Sequence, residues 1–291
     1  MSIKLKINLS FMILGILSVV AVASFNYYET RKEVISNAFE KAELINNFAL
    51  AARTYTVKTM RPLALKVAGP NQFHPEIMGG FFVARAIAEK FGENQPGYSF
   101  KQATTNPVNI ENRADIEEET IIAKLSGNPT LSMDQGILEK DYQRYFYIAK
   151  PVVAKKGCLK CHGDPAKAPY GRRTRYPGSG GYNYKENSVI AAFVTYVPVE
   201  SALSEIKMST FKLAGTSIAI FCVIFIVIWF LIDKIVTKPI VNLTRCADEI
   251  SRGQKLENKL SFKSEDEIGV LYQSFDRLRQ SVVKLMGLIK K

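Results

Sequence analysis

Histidine and cysteine are scarce in this chain of 291 residues, which holds two of the first, His74 and His162, and four of the second. Internal repeats and low-complexity tracts are also missing. The most informative absence is charge. Ile7 to Tyr28 and Leu213 to Ile232 contain no Asp, Glu, Lys or Arg. Each stretch is about the length a helix needs to cross roughly 30 Å of hydrocarbon. A buried core helix rarely stays apolar on every face for so long, so both read as membrane spans. Lys4 and Lys6 ahead of the first run, with Ala21-Val22-Ala23 inside it, resemble a signal peptide. The run is longer than a usual signal core, and an uncleaved anchor is expected.

Lys4 and Lys6 precede the first span, and Lys234, Lys238 and Arg245 follow the second. Basic flanks prefer the cytoplasm, which places the intervening segment outside, in the periplasm or its equivalent, and the chain in a bacterial inner membrane. That segment is long enough to bury its own core. The net charge of +12 is spread along the chain with Asp and Glu interspersed. It serves topology and solubility, and nucleic acid is not an expected partner.

Along the outer segment, Val34, Ile35, Ala38, Phe39, Ala42, Leu44, Ile45, Phe48 and Ala49 recur near helical spacing. One long helix is predicted from Glu29 to Arg61, leaving the membrane and stopping before Pro62. A shorter helix is predicted from Pro75 to near Gly92, a strand over Tyr98 to Thr104, and a helix over Asn109 to Leu125. Tyr142 to Val153 and Ser188 to Pro198, rich in aromatic and β-branched residues, read as strands. Gly163 to Tyr184 reads as a Gly- and Pro-rich loop. The pattern is α+β: an antiparallel sheet with a long N-terminal helix, laid out like a PAS-like sensor domain between two transmembrane helices.

Of the four cysteines, Cys222 lies in the second span and Cys246 beyond it. Cys158 and Cys161 stand outside, followed at once by His162. C-x-x-C-H is the spacing of a c-type haem site. Each thiol adds to one vinyl group of the porphyrin, and the adjacent imidazole ligates iron from below as proximal ligand. A redox-active Cys pair or half of a zinc site would explain the cysteines and leave the adjoining His unexplained. One covalent haem c is therefore expected. His74, Met60, Met78 and Met133 are the candidates outside the membrane for the distal iron position, the first three foremost. His74 and Met78 would share a face if the helix began before Pro75. An imidazole, a thioether or an open position would give, respectively, a low-spin redox centre, a raised potential, or a gas-binding site.

The stretches RTYTVKTMRPL, FVARAIAEKF, PGYSFKQATTNPVNIENRAD and GCLKCHGDPAKAPYG, followed by GYNY, resemble a family of extracytoplasmic haem c sensor domains with a PAS-like fold, long catalogued as a domain of unknown function. The likeness covers about residues 30 to 205. It implies haem attachment at Cys158 and Cys161, His162 as proximal ligand, and a variable distal ligand. Cysteine serves in at least one relative, and no spare outer Cys exists here.

After the second span, Pro239, then Leu243, Ala247 and Ile250 at helical spacing, lead to Gly253. A connector with Leu256 and Leu260 reaches Asp266-Glu267-Ile268-Gly269. A second amphipathic helix follows with Leu271, Phe275, Leu278, Val282 and Leu285. These features resemble a HAMP linker, whose stripes one chain cannot bury, so a homodimer is expected. No kinase, cyclase or methyl-accepting segment follows, and output is expected through a downstream kinase or chemoreceptor protein, or a longer receptor.

The expected organisation is a cytoplasmic N-terminus (1–6), a first span (7–28), a haem c sensor domain (29–210), a second span (211–233) and a HAMP domain (234–291). The expected function is a membrane receptor for redox state or a small gaseous ligand. The alternative is a membrane-anchored electron-transfer cytochrome c. No convincing acid–base pair lies outside the membrane, and an enzyme is not expected.

Overall fold

The computed structural model describes residues 3–69, 72–178, 180–258 and 264–289. They divide into a unit of Tyr27–Met208 and a second unit of Met1–Asn26 with Ser209–Lys291.

Helix α1 (Ile3–Tyr55) carries the first apolar stretch into the Tyr27–Met208 unit without a break. It does not stop before Pro62 as predicted. A wide π-turn over Thr56–Met60 is followed by α2 (Arg61–Ala68), with Pro62 in its first turn. Proline lacks an N–H and its ring clashes with the carbonyl four residues back; the wide turn opens the ladder at that place. The next predicted helix is divided at Gly79 into α3 (Pro75–Met78) and α4 (Gly80–Asn94).

Strand β1 (Ser99–Ala103) and a short 3-10 turn lead to α5 (Ile116–Gly127). The helix predicted from Asn109 is shorter because Asp115 caps α5 with Glu118 in a reciprocal capping box. An edge strand, β2 (Asp134–Lys140), joins β3 (Gln143–Val153) through Asp141 and Tyr142, both at positive φ. A two-residue hairpin with that twist matches its flanking strands. Then come α6 (Leu159–His162) and α7 (Tyr170–Arg175), β4 (Val189–Pro198) and α8 (Glu200–Ile232), the last entering the second apolar stretch.

The sheet is antiparallel and four-stranded, in the order β1-β4-β3-β2. Residues alternate between its faces. Ala192, Val194 and Tyr196 of β4 pack with Ile121, Ile122 and Leu125 of α5. Phe193 packs with Phe100 and with Ala84 and Ala88 of α4, and Val197 with Ala38 and Ala42 of α1 and Leu203 and Ile206 of α8. The sheet is thus a middle layer, and β4 is covered on both faces. Beneath α5, Glu118 is fully buried yet satisfied. It accepts hydrogen bonds from Tyr196 Oη at 2.7 Å, Lys101 Nζ at 2.7 Å and Lys140 Nζ at 3.3 Å.

In the other unit, a second π-turn over Asp233–Thr237 precedes α9 (Lys238–Ser251), with Pro239 in its first turn. After the connector, in which Leu260 lies outside the described residues, comes α10 (Glu267–Ile289). Tyr272 of α10 is buried and its hydroxyl donates to the Pro239 carbonyl at 2.8 Å. Leu243 is buried, while Leu271, Leu278 and Leu285 remain exposed. Two helices, within Lys4–Ala68 and Glu200–Ser251, are long and apolar enough to cross a membrane.

Candidate functional site

Cys158 ends a 3-10 turn over Lys156–Cys158, and Cys161 and His162 lie on α6 directly after it. Residues three apart on a helix are neighbours, so one turn presents both thiols. Both are free and half-buried. The Lys155 amide points to Cys158 Sγ at 3.4 Å. Among the described residues no three His, Cys, Asp or Glu side chains gather as a metal-binding group.

His162 is fixed from nineteen residues away. Its Nδ1 lies 2.7 Å from the Gly181 carbonyl oxygen. A carbonyl can only accept, so Nδ1 carries the hydrogen and Nε2 keeps its lone pair, the tautomer a metal-ligating imidazole needs. The ring stacks on Tyr184 with centroids 5.1 Å apart and planes 8° from parallel. Burial pushes the His162 pKa down against the pull of the Gly181 carbonyl, and Arg172 and Arg61 lower it further. Burial and the two arginines favour the neutral imidazole over the cation.

Asn106 holds the Gly181 strap in turn. Its Oδ1 accepts from Gly181 N at 2.8 Å and its Nδ2 donates to the Tyr182 carbonyl at 3.0 Å. Asn183 N and Tyr184 N donate to the carbonyls of Gly163 and His162. Gly181 has a φ of +72°, and an added Cβ would sit 2.2 Å from Val108 Cγ2. At Gly180 it would sit 2.0 Å from the Pro107 carbonyl. Only glycine lets the two loops approach this closely.

Three arginines surround the motif. Arg172, 3% exposed, donates to the carbonyls of Tyr176 and Gly180 and lies 4.4 Å from the Tyr182 ring. Arg61 Nε donates to the Met78 carbonyl at 2.7 Å. Arg53 lies over Phe81 at 4.3 Å, and its Nε is buried with no hydrogen-bond partner. Burial pushes its pKa down, Cys158 pulls the other way, and the Arg61 guanidinium lowers it further. An orphaned buried donor is a place where a polar ligand group would be welcome.

The distal candidates are spread over different backbone settings. Met60 ends the π-turn and is half-buried. Met78 is 1% exposed, and the His74 amide points to its Sδ at 3.5 Å. His74 does not share a helical face with Met78, as supposed, because it is extended at the N-cap of α3. Sequence reading missed Asn106, Arg172, Arg53 and Tyr184. Of these, Arg53, Asn106 and Tyr184 lay within the stretches that carry the family resemblance, without a role being legible, and Arg172 lay outside them.

The chain is similar to a solved cyanobacterial heme-protein, Tll0287, at 12% identity and a TM-score of 0.36, over 51% of this chain and 94% of that one. No curated protein matches it. The model of the Tll0287-like family matches residues 31–198, more than half of the chain. The chain therefore belongs to the Tll0287-like family.

Proposed function

We propose that the chain is a membrane receptor whose outer domain, residues 29–210, holds one covalent haem c, and that the domain is a PAS-like sensor. The observation that carries this reading is the His162 tautomer. An imidazole with Nδ1–H anchored on Gly181 and Nε2 free stands beside two thiols on one turn. Membership of a family whose namesake is a heme-protein supports it. Cys158 and Cys161 would hold the porphyrin through thioether bonds and His162 would ligate iron. Asn106 and Arg172 fix the strap that orients His162. Met60, His74 and Met78 remain the distal candidates. When bound, the group would supply one-electron redox chemistry or bind a small gas.

In this reading, residues 234–291 form a HAMP-type bundle in a homodimer. The exposed stripe of Leu271, Leu278 and Leu285 supports it, since α9 does not cover that face. Output passes to a kinase or chemoreceptor partner through two packings of the bundle, biased by the state of the haem. The domain lies in the periplasm and both chain ends in the cytoplasm.

Single cysteines at Leu271 or Phe275, in a background without Cys222 and Cys246, test the receptor. In native membranes they should crosslink between subunits faster than one at exposed Gln273, and the rates should change between oxidised and reduced haem. Rates blind to redox state and to added CO or NO would favour the electron-transfer cytochrome. Equal rates at all three positions would remove the bundle.

A further inference from the structure

The Tyr27–Met208 unit has a second concave site, built on the helix segments nearest the apolar stretches. A cavity of about 370 Å³ opens between the base of α1, the base of α8 and the β2–β3 hairpin. Its lining includes Tyr27, Arg31, Arg144 and Lys207, over a floor of Leu203 and Ile206. Both floor residues are buried.

Its charges are unbalanced. Arg144 is occupied, since its Nε and Nη2 grip both oxygens of Glu200 at 2.7 and 2.9 Å. Glu139 is the other carboxylate close to Arg144. Among the described residues no carboxylate comes within ion-pair distance of Arg31 or Lys207. Two cations without a salt bridge among the described residues, Lys207 within the longer-range field of Glu200, and a phenol thus line a partly enclosed, apolar-floored space. Arginine's planar fork and lysine's mobile ammonium are the donors that hold phosphate oxygens.

Position along the helices identifies the source of such an oxyanion. Arg31 follows the uncharged Ile7–Tyr28 stretch by three residues, and Lys207 precedes Leu213 by six. At 1.5 Å per helical residue these are rises of roughly 5 and 9 Å. The headgroup layer on each side of the hydrocarbon is of the order of 5–8 Å thick, so Arg31 falls within it and Lys207 lies at its outer edge, within reach of its long side chain. Tyr27 and Tyr28 mark the same level, where aromatic side chains settle at membrane interfaces.

We propose that this pocket binds the phosphate of an anionic phospholipid headgroup from the outer leaflet, with Arg31 and Lys207 as its ligands and the lipid glycerol lying on Leu203 and Ile206. The proposal rests on the membrane-spanning reading of the two apolar helices and is independent of the haem.

The test uses the full chain in nanodiscs of phosphatidylglycerol and phosphatidylcholine, with retained lipid counted by native mass spectrometry. Wild type should keep phosphatidylglycerol in preference to phosphatidylcholine. The double variant R31Q/K207Q should lose that preference about tenfold or more, on the order expected for two surface cations. The charge-matched control K32Q/K212Q should keep it. Circular dichroism of each variant confirms that the fold is retained. Equal loss in the control would reduce the effect to general surface charge and overturn the pocket. Inorganic phosphate bound in pure phosphatidylcholine discs, with no lipid preference, would overturn the lipid source in favour of a free oxyanion. Carbonate extraction separates the two layers of the reading. A chain released by carbonate refutes the membrane span itself, whereas a resistant chain without lipid preference refutes the pocket alone.

Discussion

The sheet and the Cys158–Tyr184 segment sit in one unit but are held by different forces. In the sheet, alternate residues of β4 enter two apolar layers, and Val194, Ala191 and Ala192 are wholly buried. The segment carrying the motif has few apolar anchors. Its shape comes from backbone hydrogen bonds of Asn183 and Tyr184, the two-sided grip of Asn106, and an arginine donating to two carbonyls. Apolar burial fixes where the strands run, and directed polar contacts fix where one imidazole nitrogen points. The fold should therefore survive changes that abolish the chemistry.

The largest expected effect on stability lies under α5. Glu118→Ala removes the shared acceptor of Tyr196, Lys101 and Lys140 and breaks the capping box. Stripping one partner from a buried charged network costs about 3–5 kcal/mol, readable as a fall in the urea midpoint. Ile148→Ala, at a fully buried position facing α1 and α8, should cost about 2–5 kcal/mol by the same measurement. A loss below about 1 kcal/mol at either site would mean that the sheet is not the stabilising layer.

Gly181→Ala should be milder for the fold and severe for the site. Positive φ and the close approach to Val108 predict a cost of about 1 kcal/mol or somewhat more, together with an altered Soret spectrum as the His162 anchor shifts. An unchanged spectrum would detach His162 from the strap. Changing Cys158 and Cys161 together to Ala should alter stability of the haem-free chain by about 0.5 kcal/mol or less, because both are half-buried and unpaired.

A pH titration sharpens the same contrast. Desolvation raises the Asp115 pKa, but hydrogen bonds from Lys140 and the Glu118 amide outweigh it and hold the carboxyl below its ordinary 3.8. A folded pKa below the unfolded one binds fewer protons in the folded state. Its stabilisation is present above about pH 4 and is lost as pH falls through the folded value. Asp115→Asn should therefore flatten the acid side of the stability profile. An unchanged acid limb would show that other carboxylates carry it.

Much of this fold was legible because its periods are clean. β3 and β4 begin within a residue of their expected starts, since their aromatic and β-branched runs are continuous. β2 escaped notice: DQGILEK is an edge strand paired on one side, and its exposed face leaves only isolated apolar residues. The α7 segment YGRRTR has no apolar repeat, and it forms where Arg172 can reach backward and forward carbonyls. The π-turns before Pro62 and Pro239 answer a clash between a proline ring and a carbonyl, which composition does not reveal. At the site, the cysteines and His162 were visible as a local spacing. Asn106 was not, because it acts on residues some 75 positions away.

The central claim is that Cys158 and Cys161 carry one haem on a turn whose His162 is preset to bind iron. Intact-mass analysis of the denatured full chain, coexpressed with c-type haem maturation proteins, tests it most directly. The expected result is a mass increase of one haem per chain in wild type, none in the C158A/C161A double variant, and a retained increase in H74A. An unmodified wild-type mass, or a haem that survives loss of both cysteines, would contradict the claim.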